Sequence, residues 1–307
     1  MSLPDSGPAT VHIGLAARLG ARLLRLAFPF AERIPAEVAA LAPPGLGPAE
    51  ILVPTRHGPV RCLVHRPPVR AAPPPVHLQF HGGAFIVRVP EQDEHLCRYL
   101  AHRAGAVVIS VDYGTAPEVR YPVAEEQAYD VYTWVAAHGA EQGWDGSRVA
   151  AGGISSGAKF AVNLCQQART AGHALPRALV SVYGALDMTL GLDGRTSARR
   201  NPAVPPWLVR LMYGTYFADA SRRAEPLASP VLDAFAGFPP TLVLTAEFDT
   251  MTAENEHLAD GLAAAGVAVR RAHYTGVDHG FLHLGPAPVT ALAFEAVAGH
   301  LRAALHG

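Results

Sequence analysis

The chain has 307 residues, of which 50% are hydrophobic and 17% are charged, and its 25 basic and 26 acidic residues leave a net charge of −1. High hydrophobicity with almost no net charge excludes an intrinsically disordered chain, and the charge balance argues against a nucleic-acid partner, which needs a clustered basic surface. The length fits one large α/β domain with an insertion, and the low charge favours a small, weakly charged ligand.

The three cysteines, Cys62, Cys97 and Cys165, form no CxxC pair, so they predict neither a disulfide framework nor a zinc site. No HExxH sequence is present, and we expect no metal and no cofactor. The first residues lack the features of a secretion signal, and no stretch of about 18 apolar residues predicts a membrane span. These features predict a cytoplasmic protein and leave a homodimer open.

The first predicted element is an amphipathic helix over residues 11–30. Leucines recur along one face of it, at Leu15, Leu19, Leu23 and Leu26, and arginines occupy another face. We expect this leucine stripe to pack against the body of the protein. A helix that lies on a membrane surface or acts as a lid is the alternative.

Two strand-like runs follow, at residues 51–55 and 60–65, and predict a hairpin. From residue 76 onward, strands and helices alternate, which predicts right-handed crossovers and a mainly parallel central sheet flanked by helices. The later predicted strands cover residues 76–80, 107–113, 148–153, 178–186, 241–247 and 269–275. The predicted helices cover residues 92–104 and 123–138, a stretch that starts at Ser156, residues 253–265 and the chain from 288 onward.

The alternation lapses between residues 187 and 238, a stretch too long for an ordinary connection. We interpret it as an insertion with short helices, such as one over residues 206–217. An insertion at the carboxyl edge of a parallel sheet lies over the place where such sheets bind ligands. The prediction is therefore a helical cap made of residues 1–45 and 187–238 on a catalytic core made of residues 46–186 and 239–307.

The sequence GISSG at residues 153–157 lies between a predicted strand and a predicted helix. A G-x-S-x-G sequence in this context is typical of a nucleophile elbow, a turn so tight that small residues must flank the serine. The turn holds the hydroxyl above the sheet, and the following helix N-terminus adds positive partial charge near a developing oxyanion. Ser155 is therefore the candidate nucleophile.

The sequence HGGAF at residues 81–85 directly follows the predicted strand 76–80. Acyl transfer places negative charge on a carbonyl oxygen, and the N–H groups of an open glycine loop can point at that oxygen at little steric cost. The expected donors are the amides of Gly82, Gly83 and Ser156, the last being the residue after the nucleophile.

A serine nucleophile needs a base and an acid that orients the base, and α/β-hydrolases supply them in the chain order Ser, Asp, His. Asp249 follows the predicted strand 241–247, and His279 follows the strand 269–275. Both lie at carboxyl ends of strands, where a parallel sheet collects catalytic groups. Asp278 is the rival acid, but the side chains of adjacent residues usually diverge, so we favour Asp249.

Several motifs occur in a fixed order along the chain, namely HGGAF, VDYGTAPE with Tyr121-Pro122, GISSG, PLASP at 226–230, TAEFD at 245–249 and DHGF at 278–281. In this order they resemble the bacterial hormone-sensitive-lipase-like family of α/β-hydrolase carboxylesterases, from near residue 50 to the end of the chain. The resemblance implies the α/β-hydrolase fold with a helical cap and a catalytic triad of Ser155, Asp249 and His279. It also implies hydrolysis of short- to medium-chain carboxylic esters through an acyl-enzyme, without metal or cofactor.

The chain departs from the family pattern beside the nucleophile, where Ile154 replaces the usual Asp and Lys159 the usual Asn. Ile154 makes the pocket more apolar, and Lys159 places a cation one helical turn beyond the serine. We expect both to influence substrate preference, Lys159 through a salt bridge beneath the elbow or through a substrate carboxylate. Trp207, Leu208 and Phe281 are further candidates for the substrate pocket.

Three other interpretations stay open. Ser156 and Lys159 form an S-x-x-K sequence of the kind that serine β-lactamases use, although no S-D-N or K-T-G partner is evident. A non-catalytic ligand-binding protein that resembles the plant gibberellin receptors is expected to lose a triad member, and His279 is present. A deacetylase or acyltransferase of secondary metabolism would use the same triad.

Overall fold

An eight-stranded sheet organises the protein, in a computed structural model that describes residues 13–31, 33–45, 47–68 and 73–307. The strands are β1 (Ala49–Val53), β2 (Val60–His65), β3 (Val76–Phe80), β4 (Val107–Asp112), β5 (Val149–Ile154), β6 (Leu179–Val182), β7 (Thr241–Ala246) and β8 (Val269–Tyr274). Their order in the sheet is β1-β2-β4-β3-β5-β6-β7-β8, antiparallel where β2 pairs with β1 and β4 and parallel elsewhere. The hairpin and the mainly parallel sheet are therefore both present.

The central strands are buried on both faces, because parallel sheets are covered by helices on either side. Along β4, Ile109 and Val111 pack into the core on one face, and Val108 packs into the core on the other. The strand predicted over residues 178–186 ends at Val182 instead, because Tyr183 has a φ of 37°, outside the extended region.

Helices cover both faces of the sheet. They are α1 (Leu15–Ala31), α2 (Ala36–Ala39), α3 (Glu94–Ala104), α4 (Val123–Ala137), α5 (Gly139–Gln142), α6 (Ser156–Thr170), α7 (Pro206–Thr215), α8 (Thr252–Ala264), α9 (Phe281–Leu284) and α10 (Ala287–His306). Helices α3 and α10 pack on one face, and α4, α6 and α8 pack on the other. None of these helices, within the ranges described, is long and apolar enough to cross a membrane.

The segment between β6 and β7 carries α7 and three short 3₁₀ turns, and it contains no strand. Helix α1 packs on α7 at Gly20, where an added Cβ would lie 3.3 Å from a methyl carbon of Leu211. We call these two segments, α1 and the stretch between β6 and β7, the cap. Residues 1–12 of the predicted N-terminal cap lie outside the described residues.

The leucine stripe of α1 faces away from the body of the protein, with Leu15, Leu19, Leu23 and Leu26 between 51% and 74% exposed. The buried face instead carries Ala21 and Arg25, whose guanidinium donates to the carbonyl oxygens of Ile86 at 2.7 Å and Thr115 at 3.0 Å. The expectation that the leucines pack on the body is therefore wrong, because a small residue and a hydrogen-bonded arginine occupy that interface.

Candidate active site

Ser155 occupies a tight turn between β5 and α6, with φ 55° and ψ −119°. Its backbone N–H donates to the carbonyl of Val182 at 2.9 Å, which ties the strained residue to the neighbouring strand. A Cβ added at Gly153 would lie 2.3 Å from the carbonyl carbon of Gly157, and one added at Gly157 would lie 2.0 Å from the oxygen of Phe80. The two glycines are therefore required by close backbone packing, as the elbow interpretation predicted.

The predicted triad residues form one line of hydrogen bonds. Ser155 Oγ lies 2.8 Å from Nε2 of His279, and His279 Nδ1 lies 2.9 Å from Oδ2 of Asp249. The other carboxylate oxygen of Asp249 accepts the Met251 N–H at 2.9 Å, and the Asp249 side chain is fully buried. A carboxylate held in this way fixes the imidazole with its hydrogen on Nδ1, so that Nε2 can accept the serine proton.

The rival acid, Asp278, makes different contacts. Its Oδ1 accepts the backbone N–H of His279 at 2.7 Å, and its Oδ2 accepts the N–H of Ala203 in the cap at 3.1 Å. Asp278 thus connects the loop of the base to the cap, while Asp249 holds the Nδ1 of the imidazole. The geometry favours Asp249 as the orienting acid.

The loop after β3 supplies unused backbone donors beside the serine. Gly83 has a φ of 136°, and a Cβ there would meet the carbonyl oxygen of Val87 at 2.6 Å, so only glycine fits without a rearrangement. Within the described residues, no hydrogen bond uses the N–H of Gly82, Gly83 or Ser156. These three amides are the ones predicted to form an oxyanion hole.

His81 holds this loop in place from behind. Its Nδ1 donates to the carbonyl of Gly82 at 2.6 Å, and Gln92 donates to the same oxygen at 3.3 Å. The ring stacks on Tyr113 at 4.3 Å, and burial lowers the pKa of His81, which favours its neutral form. Because a trans peptide points its C=O and N–H in opposite directions, tying back the Gly82 carbonyl aims the N–H of Gly83 the other way.

A cavity of about 340 Å³ lies between the cap and the carboxyl edge of the sheet. It contains Ser155 and His279, and its wall is mostly apolar, as small-molecule sites usually are. Three of the predicted pocket residues, Ile154, Trp207 and Leu208, line it. Other lining residues come from α1 and the cap, among them Leu24, Ala27, Phe28, Val204 and Met212.

Lys159 does not line this cavity. Its side chain is fully buried, and Nζ donates to Glu125 at 2.5 Å, to Asn163 at 2.7 Å and to the carbonyl of Leu227 at 2.8 Å. Burial lowers the pKa of Lys159, and the Glu125 carboxylate opposes that shift. The prediction of a substrate contact is therefore wrong, and the predicted salt bridge beneath the elbow is present. The same contacts also contradict the S-x-x-K interpretation, since this amine is committed to other partners.

Phe281 also lies outside the cavity wall. It is 2% exposed, and its ring packs 5.5 Å from that of Tyr183 and 5.1 Å from that of Tyr274. The prediction that Phe281 contacts substrate is wrong because Tyr183 lies in the wall instead, with its ring 4.6 Å from that of His279.

Sequence reasoning missed the residues that support the Tyr183 loop. Asn255 makes two hydrogen bonds to Gly184, the residue after Tyr183. Its side chain accepts the N–H of Gly184 and donates to the carbonyl of Gly184, each at 2.8 Å. Glu254 accepts the N–H of Leu186 at 2.8 Å and pairs with Arg195 of the cap. No motif marks these two residues, which are identified only by their contacts. Among the described residues, no three His, Cys, Asp or Glu side chains are placed to share a metal ion.

Comparisons with known proteins identify the fold family and the class of enzyme. The sequence pattern of a family described as having the alpha/beta hydrolase fold matches residues 77–283. Esterase LipI of Mycobacterium tuberculosis is 31% identical over 258 residues, covering 81% of this chain and 80% of that protein. Ethyl acetate hydrolase of Pseudomonas putida is 32% identical over 72% of this chain and 73% of its own length. The solved esterase of Pyrobaculum calidifontis superposes with a TM-score of 0.85 at 30% identity, covering 92% of each chain.

Proposed function

We propose that this chain, which belongs to the α/β-hydrolase-fold family and is a serine carboxylesterase, hydrolyses small apolar esters through an acyl-enzyme formed on Ser155. The observation that carries the proposal is the line of hydrogen bonds from Ser155 through His279 to Asp249, 2.8 and 2.9 Å long, which opens into the apolar cavity. This arrangement supports the roles of nucleophile, base and orienting acid for these three residues, within reach of a substrate in the cavity.

Acylation begins when the Ser155 oxygen attacks the ester carbonyl carbon and Nε2 of His279 takes the hydroxyl proton. The carbonyl oxygen becomes an oxyanion, and the free N–H groups of Gly82, Gly83 and Ser156 stabilise it. When the tetrahedral intermediate collapses, the bond to the alcohol oxygen breaks. His279 returns its proton to that oxygen, and the alcohol leaves.

Deacylation repeats these steps with water. His279 removes a proton from water as the water oxygen attacks the acyl carbon, and the same amides stabilise the second oxyanion. The bond to Ser155 then breaks, the serine regains its proton, and the carboxylic acid is released. The Asp249 carboxylate stabilises the imidazolium in both halves of the cycle.

The apolar wall and modest volume of the cavity support esters of short- to medium-chain acids as substrates. The name of the Pseudomonas putida relative, ethyl acetate hydrolase, supports the short end of that range. The presence of all three triad residues supports an enzyme over a receptor-like binding protein. The proposal includes water, and not another alcohol or an amine, as the acceptor of the acyl group. The cytoplasmic location and the homodimer stay predictions.

Turnover of p-nitrophenyl acetate and butyrate by the wild type, Ser155→Ala and Ser156→Ala tests the proposal. Loss of the nucleophile is expected to lower kcat by at least about 10⁴-fold, since residual catalysis comes only from binding and the oxyanion hole. Ser156→Ala is the matched control, because it keeps the backbone N–H and removes only a neighbouring hydroxyl. Activity retained by Ser155→Ala, or lost equally in both variants, would contradict the proposal.

A further inference from the structure

A second imidazole–carboxylate pair, His283 with Asp93, lies in the wall of the cavity. His283 is in α9, four residues after His279, and it lines the cavity. Its Nε2 lies 2.8 Å from Oδ1 of Asp93, whose side chain is fully buried. The hydrolytic steps above use neither residue, so the cavity contains a polar group without an assigned task.

A chain of buried hydrogen bonds leads from His283 through Asp93 to Gln79 and His77. Gln79 Nε2 donates to the second oxygen of Asp93 at 3.0 Å, and His77 Nε2 lies 3.2 Å from Oε1 of Gln79. Burial alone would raise the pKa of Asp93, but the hydrogen bonds from His283 and Gln79 outweigh it and hold this pKa below its ordinary value. Burial lowers the pKa of His77 to about 4, so that ring is neutral and donates to Gln79.

An ionised carboxylate only accepts hydrogen bonds, so Nε2 of His283 must carry a hydrogen and donate it to Asp93. A neutral imidazole with its hydrogen on Nε2 has a lone pair on Nδ1. Within the described residues, Nδ1 of His283 makes no hydrogen bond, and it is not fully buried. The neutral form of His283 therefore offers a hydrogen-bond acceptor in a wall that is largely apolar.

We propose that His283 is a specificity-determining residue that accepts a hydrogen bond from a hydroxyl group in the alcohol part of the substrate. This inference rests on the proposed function, because the alcohol oxygen receives its proton from His279, and His279 and His283 line the same cavity. The substrate class is then the monoesters of short diols and related hydroxyalkyl esters.

Three butyrate esters of similar size test the inference: 2-hydroxyethyl butyrate, propyl butyrate and 2-methoxyethyl butyrate. The three esters differ in the alcohol part beyond the ester oxygen. The first has a donor hydroxyl there, the second has neither donor nor acceptor, and the third has only an ether oxygen, which accepts. The ratio of kcat/KM for the hydroxyethyl ester to that for the propyl ester is measured within each protein, so any loss of folded enzyme cancels. His283→Phe is expected to lower this ratio by roughly five- to tenfold, the size of one net hydrogen bond. His257→Phe, at an exposed position of α8, is the matched control and is expected to keep the wild-type ratio.

Asp93→Asn separates recognition from packing. Gln79 donates to this position, so the amide oxygen of the new side chain faces Gln79 and its NH₂ faces Nε2 of His283. Nε2 of His283 then has to accept a hydrogen bond from this NH₂, and the hydrogen of the imidazole moves to Nδ1. The variant is expected to gain activity on the methoxyethyl ester relative to the propyl ester, a change that a purely structural role would not produce.

An unchanged hydroxyethyl-to-propyl ratio in His283→Phe overturns the inference, as does a folded Asp93→Asn protein without the gain for the methoxyethyl ester. If Asp93→Asn fails to fold, the His283→Phe ratio decides alone. If hydrolysis of the esters depends on Ser155 but the hydroxyethyl-to-propyl ratio does not depend on His283, the proposed function stands and this inference is removed. Failure of the wild type to hydrolyse any of the three esters would contradict the proposed function itself.

Discussion

The buried pair of Lys159 and Glu125 gives the strongest prediction about stability. Both side chains are fully buried, and the ammonium group also donates to Asn163 and to the carbonyl of Leu227. Glu125 has a second partner, because the hydroxyl of Tyr216 donates to its other oxygen at 2.6 Å. The network joins α6, the helix that follows Ser155, to the cap.

Replacing Lys159 with Met removes the cation and leaves the Glu125 carboxylate buried without its counter-charge. Breaking a buried pair in this way costs about 3–5 kcal/mol of the free energy of unfolding. Replacing Glu125 with Gln in the same chain removes the stranded charge while keeping a partner for the Tyr216 hydroxyl. The double variant is therefore expected to recover most of that loss, because neutral replacements of a buried pair are often well tolerated.

Urea unfolding of the wild type, Lys159→Met, Glu125→Gln and the double variant measures the coupling directly. Arg271→Met is the matched control, since Arg271 pairs with the exposed Asp260 and such surface pairs contribute about 1 kcal/mol or less. A loss below about 1 kcal/mol for Lys159→Met, or a double variant less stable than both single ones, would refute the reasoning. The KM values for acidic and neutral esters should change in parallel, because Lys159 lies outside the cavity.

Three further predictions concern the acid, the oxyanion loop and acid stability. Asp249→Asn should lower kcat for p-nitrophenyl butyrate by about 10⁴-fold, because the imidazole loses its orienting acceptor, whereas Asp278→Asn should stay within about tenfold of the wild type. Gly83→Ala should lower kcat by about 10²–10³-fold, because the new Cβ meets a carbonyl oxygen at 2.6 Å and displaces an oxyanion donor. Burial lowers the pKa of His65 to about 4, below the value of 6.5 in the unfolded chain, so its contribution to stability is lost as pH falls from 6.5 to about 4. His65→Phe should reduce this acid-induced loss by up to about 3 kcal/mol, measured by urea unfolding at neutral and acidic pH.

Each of these predictions has its own contrary outcome. Equal losses of kcat in Asp249→Asn and Asp278→Asn would remove the assignment of the orienting acid. Gly58→Ala tests backbone strain alone, because Gly58 has a φ of 94° and open space around its Cβ position, and it should leave kcat unchanged. A similar kcat loss in Gly83→Ala and Gly58→Ala would speak against the oxyanion role. An identical pH profile of stability in His65→Phe and the wild type would contradict the burial argument.

Local sequence determined much of the fold and the arrangement of the proposed triad. The strands at β3 and β4 follow apolar runs of strand length, and their predicted bounds agree with the structure to within one residue. Ser155, Asp249 and His279 each follow a parallel strand at its carboxyl end, so sheet topology alone brings them to one edge. Glycine spacing around Ser155 predicted the tight turn because close backbone contacts leave no space for larger residues there.

The sequence did not predict contacts between distant parts of the chain. Lys159 binds Glu125, 34 residues away, and no motif indicates that partner. His283 and Asp93 are 190 residues apart and belong to no motif. The predicted orientation of α1 was also wrong, because hydrophobic periodicity does not reveal that hydrogen bonds from Arg25 fix the helix to the core.

Covalent labelling tests the central claim, that Ser155 is the nucleophile of this carboxylesterase, most directly. The intact protein is treated with a fluorophosphonate and digested, and the modified residue is located by mass spectrometry in the wild type, Ser155→Ala and Ser156→Ala. The geometry predicts one adduct on Ser155 in the wild type and in Ser156→Ala, and none in Ser155→Ala. An adduct on Ser156, or ester hydrolysis that persists in a fully labelled protein, would contradict it.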